Sequence, residues 1–312
     1  MGSATSVLSP SEPTFAEFYD HEFNITGDEQ IAVSGLALRR MLVGYVGERD
    51  GSKRKHGKGV ENYINGDQYD GDWFEGLKHG NGRCRYRNGD LYEGQYHSGS
   101  KNGQGVYTFA SGDVYTGQFL DNKMHGKGVY SYSNGNVYEG EFSAGKMNGF
   151  GRLTYASGDV YEGNWESGKR HGSGVYRHSR GGDVYEGEYQ GGVKCGVGKY
   201  TYANGDVYEG SFVANRMHGE GVFRYSNGNV FEGIFADNKR TCGSLYVAEE
   251  GVKYKAVFKN SDKFANRSLR EVHGGLVYDV ELMTDGEGVD LEKAESKSVK
   301  MCKGTILGPS EG

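Results

Sequence analysis

The stretch that decides the reading is Gly135–Gly151, GNVYEGEFSAGKMNGFG, with five glycines, three aromatic residues, alternating acids and almost nothing aliphatic. Twenty-three residues later it returns as GDVYEGNWESGKRHGSG, Gly158–Gly174. The element Tyr-x-Gly-x-aromatic begins at Tyr69, Tyr92, Tyr115, Tyr138, Tyr161, Tyr185 and Tyr208, and with Phe for Tyr at Phe231. Every step is 23 residues except one of 24, where the extra residue falls at Arg180-Gly181-Gly182. Weaker copies begin at Tyr45, Tyr254 and Tyr278. A fixed period over eight clear copies marks a repeat architecture.

Each unit holds two alternating runs. Tyr138, Gly140 and Phe142 share one face, and Val137, Glu139 and Glu141 take the other. Gly151, Leu153 and Tyr155 then do the same, as do Tyr107 with Phe109, Tyr130 with Tyr132 and Tyr200 with Tyr202. Period two means strand. Asn-Gly lies between the runs in YRNGDLY (86–92), YSNGNVY (132–138) and YANGDVY (202–208), which predicts a type I′ hairpin turn. The other connection, as in SAGKMNG, reads as a longer glycine-rich loop. The expected fold is all-β: an elongated single-layer antiparallel meander of tandem hairpins. It gains about 10 Å per repeat and reaches about 80–95 Å in all. Glycine inside a strand costs about 0.5–1 kcal/mol, so its recurrence between aromatics predicts a ring from a neighbouring strand lying over bare backbone.

Composition agrees. Fifty-four of the 312 residues are glycine, and 24 tyrosines and 14 phenylalanines offset the shortage of aliphatic residues. The three prolines, Pro10, Pro13 and Pro309, lie near the ends, as an unbroken strand ladder requires. Mean hydropathy is −0.71 and net charge −6. No apolar run is long enough to span a membrane, and the start lacks the apolar core of a secretion signal. The expectation is a cytoplasmic, non-secreted protein, with residues 1–44 an N-terminal extension carrying a capping element, 45–258 the array, and 259–312 a degenerate repeat and flexible tail.

YEGEFSAGKMNGFG (138–151) and its sister copies resemble the MORN (membrane occupation and recognition nexus) repeat, roughly YxGxxxxGxxxGxG, over about residues 45–258. The resemblance implies an elongated sheet with an aromatic groove, and a role as a protein scaffold, cytoskeletal linker or membrane-associated module. In the copy at Phe231, Cys242 and Ser244 replace the paired glycines, so the array is expected to decay beyond it.

The chemistry is that of a binding protein. No nucleophile–base set, metal-ligand spacing or catalytic carboxylate pair stands out, so no enzyme activity, cofactor or metal is expected. His79, His125, His171 and His218 recur in every second repeat, about 19 Å apart, too far to share a zinc ion. The expected partner groove is the row Tyr92, Tyr96, Tyr115, Phe119, Tyr138, Phe142, Tyr161, Trp165, Tyr185 and Tyr189, presented to a helix or to a second copy of the array in a homodimer. Lys78, Lys101, Lys123, Lys146, Lys169, Arg170, Lys194, Arg216, Lys239 and Arg240 all fall in the same connection. They read as a basic rim for an acidic partner or an anionic lipid surface. MGSATS fits the myristoylation pattern at Gly2. Two functions follow: a scaffold linking cytoskeletal components, axonemal ones included, and alternatively a peripheral membrane tether. The acidic total argues against nucleic acid.

Overall fold

The computed structural model describes residues 43–249 and 251–258, and the backbone of three later strands, Glu271–His273, Leu276–Tyr278 and Val280–Met283. The capping element expected within 28–44, save its last two residues, the candidate Gly2 and the tail from 284 lie outside the described residues. Strands succeed one another in chain order from Gly44–Arg49 to Val252–Phe258, each antiparallel to its neighbours, and Val280–Met283 adds to the last. Among the described residues this makes one twenty-stranded sheet and no helix. Each repeat pairs a seven-residue strand such as Val137–Ser143 with a nine-residue strand such as Lys146–Thr154.

The register aligns one glycine from each strand. Gly82 faces Gly94, Gly94 faces Gly105, Gly105 faces Gly117, and so on through Gly233 opposite Gly243, where Ala256 ends the row. The leading tyrosine of each repeat lies flat in this seam. A Cβ on Gly105 would fall 2.5 Å from the Tyr92 Oη and 2.6 Å from its Cε2, so ring and backbone occupy the space a side chain would need. The covering ring therefore comes from the same hairpin, spanning the glycine two residues on and the one opposite it. Tyr69, Tyr92, Tyr115, Tyr138, Tyr161, Tyr185, Tyr208 and Phe231 are fully buried.

Next to the seam every repeat carries a bulge. Gly94 pairs with Gly105 but Tyr96 pairs with Lys101, so the long strand holds extra residues there. Gly103, at φ 97°, makes the bend. Its loose groups find partners: Gln95 Oε1 accepts the Gln104 N–H at 2.8 Å, and the Tyr92 hydroxyl donates to the Gln95 carbonyl at 2.9 Å. The two glycines of each GxG thus do different work, the first bending the strand and the second admitting a ring. Strand pairing continues past Cys242 and Ser244, where the repeat pattern itself gives way. The last bulge is one residue shorter, which brings Gly243 opposite Gly233, and pairing continues into Val252–Phe258.

The turns are the reverse of the sequence expectation. At Tyr86–Asp90 the Gly89 N–H bonds to the Tyr86 carbonyl and the Tyr86 N–H to the Asp90 carbonyl, both at 2.9 Å. Only Gly89 has positive φ. This is a type I turn with a glycine bulge, and not type I′. Because the residue before the glycine stays in ordinary φ, Ala110-Ser111-Gly112 makes the same turn without Asn. The type I′ geometry sits at the other connection, where Ser98 and Gly99 both have positive φ and form a two-residue loop between His97 and Ser100.

A polar ladder ties repeat to repeat. The Asp90 carboxylate accepts the Ala110 N–H at 2.8 Å and the Tyr107 hydroxyl at 2.7 Å. Asp113 bonds Ser133 N–H and Tyr130 in the same way, and Asp183 bonds Ala203 N–H and Tyr200. At Asn136 the backbone bond to Ala156 remains, and the hydroxyl partner is absent because Leu153 stands there.

Two outcomes follow. Gly163→Ala would place a Cβ 2.5 Å from the Gly174 Cα and 2.7 Å from the Ser173 carbonyl oxygen. Backbone cannot step aside, so chemical denaturation should show a loss of about 1–3 kcal/mol or more, and an unchanged midpoint would refute the seam. Asp159 is held down to about 2, first by the Ser179 backbone N–H, then by the Ser179 and Tyr176 hydroxyls. A depressed carboxylate contributes stability above its ordinary value of 3.8 that is lost as pH falls towards 2. Asp159→Asn should flatten the thermal midpoint in that window while keeping the backbone bond.

Candidate functional site

Beside the seam the rings form a continuous spine. Each leading ring meets the second aromatic of its own repeat and of the next edge to face. Tyr92 lies 5.2 Å from Tyr96 and 5.0 Å from Phe119, and Tyr138 lies 5.2 Å from both Phe142 and Trp165. Such pairs add about 0.5–1.5 kcal/mol each beyond their buried area. The sequence reading of this row needs correction. Tyr92, Tyr96, Tyr115, Phe119, Tyr138, Phe142, Tyr161, Trp165, Tyr185 and Tyr189 are at most 5% exposed and form the core, not a groove surface. A ring seated on a glycine seam and roofed by two others has no face left for a partner.

The accessible rings belong to the long strands and the turns that follow them. Tyr86, Tyr107, Phe109, Tyr130, Tyr132, Tyr155, Tyr176, Tyr200 and Tyr202 are half-buried and pack against the spine on the same face. They touch in series: Tyr86 to Tyr107 at 6.0 Å, Tyr107 to Phe109 at 4.5 Å, Phe109 to Tyr130 at 5.7 Å. The signal for them was the ring-over-glycine argument itself, since a ring that covers backbone is not the ring that meets solvent.

Between the two rows lies a trough, and half of the expected basic rim lines it. Lys78, Lys101, Arg170, Lys194 and Arg240 hold the second position of their strands and fold inward over rings. The Lys101 Nζ sits 4.4 Å from the Tyr107 centroid and 5.3 Å from that of Tyr92. The Arg170 Cζ is 5.2 Å from Tyr189, and the Lys194 Nζ is 4.5 Å from Tyr185 and 4.6 Å from Tyr200. Met124, Met147 and Met217 hold this position in the other repeats. Burial lowers the pKa of Lys101, and burial with the neighbouring Arg170 charge brings Lys194 to about 8. Lys123, Lys146, Lys169, Arg216 and Lys239 hold the first position and point outward, exposed. All ten lie in strands and not in a loop, because the connection before them is only two residues long.

His171 lies 3.2 Å from Glu166, and the His79 ring meets that of His97 at 5.1 Å, tilted by 54°. Among the described residues no group of His, Cys, Asp and Glu is placed to hold a metal ion. Cys84 and Cys195 are free thiols.

The MORN repeat family model matches eight segments, residues 53–68, 69–91, 92–114, 115–137, 138–160, 161–182, 185–207 and 208–230, together more than half of the chain. No curated protein matches it. Among solved structures, the wild-type TCP10 domain of Danio rerio CPAP is 11% identical, covering 63% of this chain and 92% of its own, with a TM-score of 0.38. The SAS-4 (dCPAP) TCP domain of Drosophila melanogaster, in complex with a proline-rich motif of Ana2 (dSTIL), is 13% identical, covering 61% and 97%, with a TM-score of 0.33. Both scores are too low to indicate a shared fold.

The buried lysine makes a prediction with a definite sign. Lys194 binds its proton less tightly when folded than its ordinary value of 10.5. The charged form therefore destabilises the fold below about 8, and the penalty fades as pH rises towards 10.5. Lys194→Met, the residue of sister repeats, should raise the thermal midpoint at pH 7, and the gain should shrink at pH 10. An equal gain at both values would contradict the desolvated charge.

Proposed function

The chain belongs to the MORN repeat family, and from that premise we propose that it is a non-enzymatic scaffold holding a protein partner along the trough. The observation that carries this reading is the half-buried ring row. A sheet whose core is already complete beneath the spine still presents a second aromatic row on the same face. Half-exposed tyrosines beside apolar side chains are the residues that dominate protein interfaces. A cytoskeletal setting, axonemal included, accords with the family resemblance, and so does a cytoplasmic location. A homodimer would use the same face.

A second reading has its own support. Lys123, Lys146 and Lys169 project in three successive repeats, and none forms an ion pair among the described residues. Each basic residue near an anionic membrane is worth about 1 kcal/mol, so this edge would serve a membrane tether, with Gly2 acylation as a second anchor.

The two readings separate by mutation. Phe109, Tyr132, Tyr155 and Tyr202 lie in the half-exposed row, and the side chains of Phe109, Tyr132 and Tyr155 take no part in the hydrogen bonds of the aspartate ladder. Their joint replacement by Ala should leave the sheet signal in circular dichroism intact. It should also remove partners captured from native cells by the intact chain. An unchanged partner set would refute the scaffold face. Lys123→Glu, Lys146→Glu and Lys169→Glu should leave those partners in place and abolish any salt-sensitive binding to anionic vesicles.

A further inference from the structure

Four cations of the trough make no direct ion pair, although Asp90 and Asp183 act on Lys101 and Lys194 from beyond contact distance. Lys78, Lys101, Arg170 and Lys194 are half-buried among rings, and no carboxylate among the described residues lies within ion-pair distance of them. Lys55, at the same position in the first repeat, is paired with Glu61. Facing rings offset part of the cost of removing a cation from water, but a methionine would fill the position without that cost, as in three sister repeats.

A second, independent observation falls at the same two places. The second aromatic of the spine is Phe at 119, 142, 212 and 235, or Trp at 73 and 165 with its indole N–H bonded to a carbonyl. It is Tyr only at 96 and 189. Tyr96 is 4% and Tyr189 2% exposed, and neither buried hydroxyl has a hydrogen-bond partner of ordinary geometry among the described residues. Tyr96 lies against Lys78, and its hydroxyl is near that of Tyr86, to which the Lys101 Nζ comes within 3.4 Å. Tyr189 lies against Arg170. Native interiors leave few polar groups unpaired. Here both unpaired phenols stand beside the cation pairs of consecutive repeats.

We propose that Lys78, Lys101 and Tyr96 form one anion socket and Arg170, Lys194 and Tyr189 a second, and that together they hold an acidic helical segment of a protein partner. This rests on the reading of the trough as the scaffold's binding face. Lys101 and Arg170 are three repeats apart, about 29 Å at ~4.8 Å per strand. A helix covers that distance in about nineteen residues. Met124 and Met147 lie between the sockets and suit an apolar stripe of variable shape. The partner is therefore a helix whose two carboxylate clusters are separated by a gap of about nineteen residues, with an apolar face across that gap. An added strand does not fit, because the trough offers side chains and not an open backbone edge.

The test uses the full chain and a fluorescent synthetic helix with two glutamate clusters at that spacing and leucines between. Fluorescence anisotropy should show it binding at least about tenfold tighter than a single-cluster version, with a glutamine version weaker still. Lys101→Met with Lys194→Met should reduce affinity roughly tenfold or more. Tyr96→Phe with Tyr189→Phe should also weaken binding while the thermal midpoint holds or rises, since both changes install sister-repeat residues and remove an unpaired hydroxyl. Equal binding of the glutamate and glutamine helices, or of the intact and Met-substituted chains, would overturn the sockets. So would a fall in the midpoint of the Phe variant, or a loss on Met substitution confined to anionic vesicles. If the sockets fail in this assay while the four-ring Ala variant still loses its native partners, the scaffold reading stands without them.

Discussion

Everything in this molecule depends on an aromatic ring being able to lie against bare main chain. A single sheet layer has no second layer to bury its face against, so it must find a core within its own thickness. The glycine seam supplies one. With no Cβ from Gly82 to Gly243 along the row, each leading ring rests on peptide groups and is roofed by the second aromatics of its own repeat and the next. Eight leading rings at zero exposure in a chain of mean hydropathy −0.71 are the result.

The seam imposes costs that the repeat settles locally. Flattening the ring over the sheet requires the long strand to bulge, and a bulge frees peptide groups. The phenol hydroxyl of the same ring satisfies one of them, and the side chain after the seam glycine satisfies another. Contacts between repeats are as regular: ring to ring at the spine, carboxylate to backbone N–H at one edge, and turn N–H to strand carbonyl at the other. Each repeat contacts only its neighbours, so stability is a sum over adjacent pairs.

Because the core is complete without the trough, the residues lining the trough are free to vary for another purpose. The position over the rings alternates between methionine, lysine and arginine, whereas the seam glycines and leading rings hardly change across the repeats. Invariant positions within the array carry the fold, and the variable ones carry its surface chemistry. The inward cations thus stand apart from the outward row one residue earlier, which faces water.

The sequence by itself determined the period, the strands, the pairing of consecutive hairpins and the presence of rings over glycines, since these are local and repeat eight times. It did not distinguish the two turns, because Asn-Gly is compatible with both type I′ and a type I turn with a bulge, and only the hydrogen bonds around Tyr86 and Gly89 separate them. It also counted Lys101 and Lys123 as one rim. Counting back from the seam glycine shows the difference: Lys101 lies four residues before Gly105 and shares its face, whereas Lys123 lies five before Gly128 and points away. That parity has meaning only once the short turn has placed both residues in a strand. Likewise the motif could name its aromatics but not say which were roofed. Burial depends on rings supplied by the next repeat, and only the assembled sheet brings those rings together.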